Sequence, residues 1–429
     1  MPKFEYDLSE ILESENIAEL LTDTDRNAVS QRVKKWYDHD VTDREEWMTA
    51  HKEGLNLAAM IKTEKSTPWP GCANMQYPLL ATASINFGST AISSMITNGR
   101  LVAVEPVGNA EEQAQGGAPP MGGQPGVQPP PPPLGNAGGN GQPSGVQPQT
   151  GQPQTPPFTR SDLADKLEIH LNYQLTKQIP GYLPEMRRML HTLPAANMVH
   201  KKVYWNAELN LPASDLLLPQ ECVVPKDGRP GEPLRRWTHI REMYRNEIQG
   251  RINSGRYLEG DAIKAVLEDE DKELFTVLEQ HNWLDLDGDG FEEPYICTIH
   301  EESGELLQIL PRFAEAHIEY ADEEGEEEKE GDENEEFETV ETDEKKGPEK
   351  GKKIVGIDAV NHLVTYVMLP ALDGSYLGMG FGSLGTALNA GIDTALNQIL
   401  DAETLAILAG KTGFTAKGVF RKKGDQKVK

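Results

Sequence analysis

The stretch GMGFGSLGTALNAGIDTALNQILDAETLAILAG, residues 378–410, carries the most regular pattern in the chain and reads as a glycine-rich turn feeding a long helix. Leu384, Leu388, Ile392, Leu396, Ile399 and Leu400 recur at three- and four-residue steps, the spacing that gathers side chains on one stripe of an α-helix. Asn389, Asp393, Asn397 and Asp401 step by four along a second, polar stripe. From about residue 383 to 409 such a helix would be on the order of 40 Å long.

Its opening, GFGSLG, satisfies the G-x-G-x-x-G dinucleotide pattern through Gly380, Gly382 and Gly385, with Asp401 or Glu403 near the distance of a ribose ligand. That reading requires a buried strand running straight into the first glycine. The candidate strand, 362–369, is followed instead by Pro370 and a loop-like ALDGSYLGM, and no repeated βαβ pattern surrounds it. The simpler reading is that glycines let a helix start pack closely against another backbone.

Working outward, 429 residues accommodate two or three domains. A formal net charge of −28 argues against tight sequence-independent nucleic-acid binding, which rests on Lys and Arg displacing counterions. A like-charged surface instead lets the polymer slide. Three widely spaced cysteines, Cys72, Cys222 and Cys297, suggest neither a disulfide framework nor a Cys-x-x-Cys metal site. The first residues are acidic where a signal peptide is basic, and no apolar run has membrane length, so the expectation is a soluble intracellular protein.

Five regions follow from the composition: a helical region over 1–108, a Pro/Gly/Gln-rich disordered loop over 109–157, an α+β region over 158–320, an acidic disordered tract over 321–352, and a strand, long helix and basic tail over 353–429. Helical spacing is expected across 7–62, with the polar run around Asp23 and Asp25 as a cap. Pro68, Trp69, Pro70 and Gly71 make a rigid turn anchored by a buried indole. The charge-poor helix that follows Pro78 must be covered by protein, and Cys72, with no local base, reads as a small buried thiol. Helices are expected at 163–175 and from Leu183, strands at 200–208 and 214–225, helices at 237–249 and 261–283, a hairpin over 295–313, and one strand over 354–369.

In LDLDGDGFEEPY, Asp285, Asp287 and Asp289 followed by Gly290 reproduce the first half of a calcium loop, in which alternating carboxylates converge on one hard cation. The twelfth position is Ile296, where a helix-loop-helix site needs a bidentate Glu, and the simpler reading is an Asp/Gly turn. No catalytic constellation is visible: the histidines are scattered and no nucleophile sits in a recognisable elbow.

Five blocks, at 67–87, 166–194, 201–225, 284–309 and 378–406, resemble in the same order the portal proteins of tailed bacteriophages, particularly the large type of short-tailed phages. The resemblance implies an α+β, helix-rich wing-type domain with small antiparallel β elements, long helices and two disordered insertions. It further implies a non-enzymatic subunit of a usually twelve-fold ring at the capsid vertex, with no cofactor, assembled in the host cytoplasm and carried in the virion. Such a ring contacts the major capsid or scaffold protein, the terminase large subunit and a tail or neck adaptor, while double-stranded DNA passes through non-specifically.

The residues expected to serve packing or assembly are Trp69, Pro70, Gly71, Gly380, Gly382, Asn389, Asp393, Asn397 and Asp401, the last four lining an intersubunit, lumenal or solvent surface. The matching blocks resemble the part that precedes the stem and clip, so the chain reads as truncated at its C-terminus. Two other classes remain at this level: an enzyme binding a nucleotide at Gly380–Gly385 or calcium at Asp285–Asp289, and a scaffold that recruits partners through its proline-rich loop.

Overall fold

The structure, a computed structural model, describes residues 6–62, 69–96, 100–105, 160–207, 209–229, 231–269, 272–320, 353–414 and 420–422. The proline-rich loop 109–157, the acidic tract 321–352, Pro68 and most of the basic tail lie outside the described residues. The fold is α+β. In chain order the elements are α1 (Leu8–Glu13), α2 (Asp23–Asp43), α3 (Glu45–Ala58), α4 (Leu79–Met95), α5 (Arg160–Tyr173), α6 (Tyr182–Ala196), β1 (Met198–Asn206), β2 (Leu211–Leu217), β3 (Cys222–Val223) and β4 (Trp237–Tyr244). There follow α7 (Arg245–Asn253), α8 (Asp261–Leu267), β5 (Leu274–Leu284), β6 (Glu293–His300), β7 (Leu306–Pro311), β8 (Ile318–Tyr320), β9 (Ile354–Ile357), β10 (Leu363–Val367), α9 (Phe381–Lys411), β11 (Thr412–Phe414) and β12 (Phe420–Lys422).

The chain divides into two compact units, Met1–Met95 with Ile179–Lys429, and Ile96–Gln178. The larger unit is built on an antiparallel meander, β3-β4-β5-β6-β7. Alternation along β5 sends Leu278 and Leu284 to one face and Phe275 and Val277 to the other. The first face packs on Ile11, Ile17, Leu21, Val29 and Val33 of the N-terminal helices, and the second on Ile248 and Tyr257 and on Ile263 and Leu267 of α8. Thr22 starts α2 by accepting the Asp25 amide, with Asp23 and Asp25 favourably placed in the first turn. Buried Asn16 fastens this N-terminal segment to the sheet edge, donating to Leu307 O at 3.2 Å and accepting from Ile309 N at 3.1 Å.

A second sheet, β10-β1-β2, carries α6, whose Met186, Met189, Leu190 and Leu193 cluster with Val199 of β1. In the smaller unit, α5 runs into a π-helical turn, Gln174–Gln178. There Asn172 holds an extended piece of chain by accepting from Leu101 N at 2.7 Å and donating to Val102 O at 2.8 Å.

Several sequence expectations are corrected. Residues 237–244 form a strand, with only 245–253 helical, and 274–284 form the central strand β5 rather than the end of a helix. Trp237, Ile240, Met243, Tyr244 and Ile248 fit helical steps, so periodicity alone does not separate the two states. β5 is buried on both faces, which removes the alternation that marks a half-exposed strand. The single strand expected over 354–369 is two strands in different sheets: β9 pairs with β8, and β10 with β1. Trp69 is half-buried rather than buried. It opens a tight turn closed by Cys72 N donating to Trp69 O at 3.2 Å, with Gly71 at φ +81°, where a type II turn favours glycine. α4 is covered on one side only, through Leu80, Ser84 and Gly88.

Candidate functional site: the seam around the long helix

α9 begins where three helices meet with almost no side chain between their backbones. A Cβ on Gly382 would lie 2.2 Å from Ala195 O, one on Gly380 2.7 Å from Pro194 O, and one on Gly54 of α3 2.6 Å from Gly382 Cα. Such approach is open only to glycine. The junction is closed by polar contacts to backbone: Trp47 Nε1 donates to Gly378 O at 2.8 Å, and His51 Nδ1 lies 2.8 Å from Ala196 O. Burial depresses the His51 pKa, so the ring is neutral and its Nδ1–H is the donor.

One of the free amides in the first turn of the helix is also occupied, because Ser383 N donates to Asn197 Oδ1 at 3.2 Å. A dinucleotide fold would place the pyrophosphate at that end of the helix. The preceding strand, β10, is antiparallel to β1 and is followed by a loop, and every strand pair among the described residues is antiparallel. The glycines of GFGSLG thus sit where backbones touch.

The polar stripe is turned inward. Asn389 and Asn397 are 1% and 5% exposed, which corrects the solvent or lumenal position expected for this ladder. Residues 72–78 lie extended along it: Ala73 N donates to Asp401 Oδ1 at 2.8 Å, Met75 N to Asn397 Oδ1 at 2.6 Å, and Tyr77 N to Asp393 Oδ1 at 2.6 Å. Asn397 Nδ2 returns a bond to Met75 O at 3.0 Å, and Asn389 Nδ2 steadies Asp393 Oδ2 at 2.9 Å. The match is geometric: two residues of extended chain advance ~6.8 Å and four residues of helix ~6 Å. α9 therefore serves as a surrogate strand, bonding through side chains what a sheet would bond through its backbone.

With its polar stripe consumed internally, the helix shows leucine to the outside. Leu384 and Leu388 are 58% and 62% exposed, and Ile399 and Ile407 are exposed as well. Ile85 of α4 is exposed too. A long helix with polar residues inside and apolar residues outside has the reverse of the arrangement that suits an isolated chain.

At the β5–β6 turn the three aspartates do converge, their carboxylate oxygens lying within 4.8 Å of one another. Each also shapes the turn, Asp285 Oδ1 accepting from Gly288 N at 2.7 Å, Asp287 Oδ1 from Asp289 N at 3.2 Å and Asp289 Oδ1 from Phe291 N at 2.6 Å.

One constellation is invisible in the sequence. Lys202 of β1 pairs with Glu279 of β5, joining the two sheets, and His281 Nε2 lies 3.1 Å and Arg241 3.6 Å from the same carboxylate. Burial opposes charge on Glu279, but the Lys202 ammonium, then the hydrogen bond from His281, hold its carboxyl well below the usual range. Burial pushes His281 and His200 down to about 3 and His239 to about 4, so these rings stay neutral. His281 stacks on Trp237 with centroids 3.9 Å apart. The group is buried and paired, which suits joining two sheets and leaves no accessible nucleophile or acid–base pair. The strand assignment of 274–284 was the missing signal, because only then do Glu279 and His281 fall on one face.

No known family model and no curated protein matches the chain. Among the described residues no helix is long and apolar enough to cross a membrane.

Proposed function

We propose that the chain is a structural subunit of a phage portal ring, forming with copies of itself the channel through which DNA enters and leaves the capsid. The observation that carries this reading is the inverted long helix. Asp393, Asn397 and Asp401 are spent on residues 73–77 and Asn389 on Asp393, while Leu384, Leu388 and Ile399 face outward. A neighbouring copy in a ring covers such a face, and an isolated chain does not. The order of the five sequence blocks supports the class. The net charge of −28 supports a channel in which DNA slides without being held. On this reading the ring docks the terminase and later a tail or neck adaptor, sits against capsid or scaffold protein in the virion, and performs no catalysis of its own.

The test is negative-stain electron microscopy with native mass measurement on the full chain and on Leu384→Glu/Leu388→Glu. The expected result is closed rings with a central hole for the wild type and monomers for the double variant. A wild-type chain that stays monomeric at high concentration, or a double variant that assembles as well as the wild type, would overturn the proposal.

A further inference from the structure

The turn between β5 and β6 holds one group that the aspartates' role as turn-formers does not account for. Glu293 is fully buried at the start of β6, and its Oε1 has no hydrogen-bond partner. Its other oxygen, Oε2, faces the loop, 3.4 Å from the amide of Leu286, which lies between Asp285 and Asp287, and 3.4 Å from Tyr295 Oη. Glu293 thus stands at the same end of the hairpin as the three aspartates. Among the described residues no Lys or Arg pairs with any of them: Arg32 and Arg235 at this end both go to Glu292. An unpaired acid in such a place is costly unless a cation shares it.

We infer that this turn is a calcium site, with Asp285, Asp287 and Asp289 as its outer ligands and the buried carboxyl of Glu293 closing it from beneath. Two oxygens on opposite sides of a calcium ion at ~2.4 Å are ~4.8 Å apart, so three carboxylates within 4.8 Å of one another fit a single ion. Gly290 has φ +93° at the sixth position, where calcium loops need a sharp turn, and Phe291 stands at the seventh, which supplies a main-chain carbonyl. Glu293 is the ninth. The twelfth, Ile296, is fixed in β6 opposite His281 and Leu310 and takes no part, so the site is a hairpin variant rather than a helix-loop-helix one.

A turn that offers several oxygens with loose geometry favours calcium over magnesium, which demands a near-ideal octahedron.

The experiment is calorimetric titration of the full chain with calcium chloride and, separately, with magnesium chloride, on the wild type, Asp287→Asn and Glu293→Gln. The amides retain the carbonyl oxygens that shape the turn, and circular dichroism checks that each variant is folded. One calcium per chain is expected, with at least tenfold weaker magnesium binding and a loss of tenfold or more in either variant. The absence of saturable heat in the wild type at millimolar calcium would overturn the inference, as would affinities unchanged in Asp287→Asn. The wild-type result decides even if a variant misfolds. The outcome is independent of ring formation: calcium binding by a monomer, or rings that bind none, separates this inference from the portal reading.

Discussion

Gly382 and Gly391 lie on the same helix and call for the same substitution with opposite results. Replacing a helical glycine by alanine stabilises by about 1 kcal/mol when the site is open. At Gly391 nothing lies within 4 Å of the new Cβ, so the whole gain should appear. At Gly382 the new carbon falls 2.2 Å from Ala195 O, whereas an ordinary C···O contact is ~3.3 Å, so the α9 start must retreat by about 1 Å. The obstacle is backbone on both sides, with Gly54 packed on the same spot, so no rotamer change relieves it. Overpacking of this kind costs about 1–3 kcal/mol, and a rigid seam belongs at the upper end. The net expectation is a loss of about 2 kcal/mol for Gly382→Ala against a gain of up to about 1 kcal/mol for Gly391→Ala. Urea unfolding followed by far-ultraviolet circular dichroism, with amide exchange in α3 and α9 as a local readout, measures both. If Gly382→Ala matches or exceeds the wild type, the close backbone contact does not exist and the reading of GFGSLG as a packing element fails.

Two further variants probe the ladder and the buried junction. Asn397→Ala removes both bonds to Met75, about 2 kcal/mol in total, so exchange of the Met75 amide should accelerate on the order of 30-fold; an unchanged rate would show that the segment is held by something else. His281 has a folded pKa of about 3, below its free value near 6.5, so the unfolded chain binds the extra proton. Its contribution is whole above about pH 6.5 and is lost as pH falls toward 3, by on the order of 1 kcal/mol per pH unit. His281→Gln should therefore narrow its stability deficit against the wild type between pH 6.5 and 4.5 in urea titrations. A deficit independent of pH would show that this ring does not titrate as its burial requires.

The elements that carry their own signal were legible. The stripes of α9, a helix cap in the polar run around Asp23 and Asp25 and the β6–β7 hairpin follow from spacing and local chemistry, and the structure has each of them, the cap falling on Thr22. What the sequence concealed depends on partners far away along the chain. Asn397 looks like a surface residue until Met75, 322 positions earlier, is laid against it. Glu279 and His281 look like exposed polar residues of a helix until the strand is seen to be buried between neighbours on both sides. Glu293 differs from most other acids of the chain in its burial, which comes from the sheet rather than from the motif, and from buried Asp40 and Glu279 in having no paired cation among the described residues.

The ladder also sets a schedule for the growing chain. The amide of Ala73 waits for a carboxylate 328 residues later, which at ribosomal rates of roughly 5–20 residues per second is a delay of about 16–66 s. Gly54 waits a similar time for Gly382. The meander can form before either contact exists, since its own pairings end at Pro311. Until α9 is made, residues 72–78 lack their partner and the charge-poor α4 lacks one of its neighbours, and in that interval a nascent chain is open to chaperones or to another copy of itself.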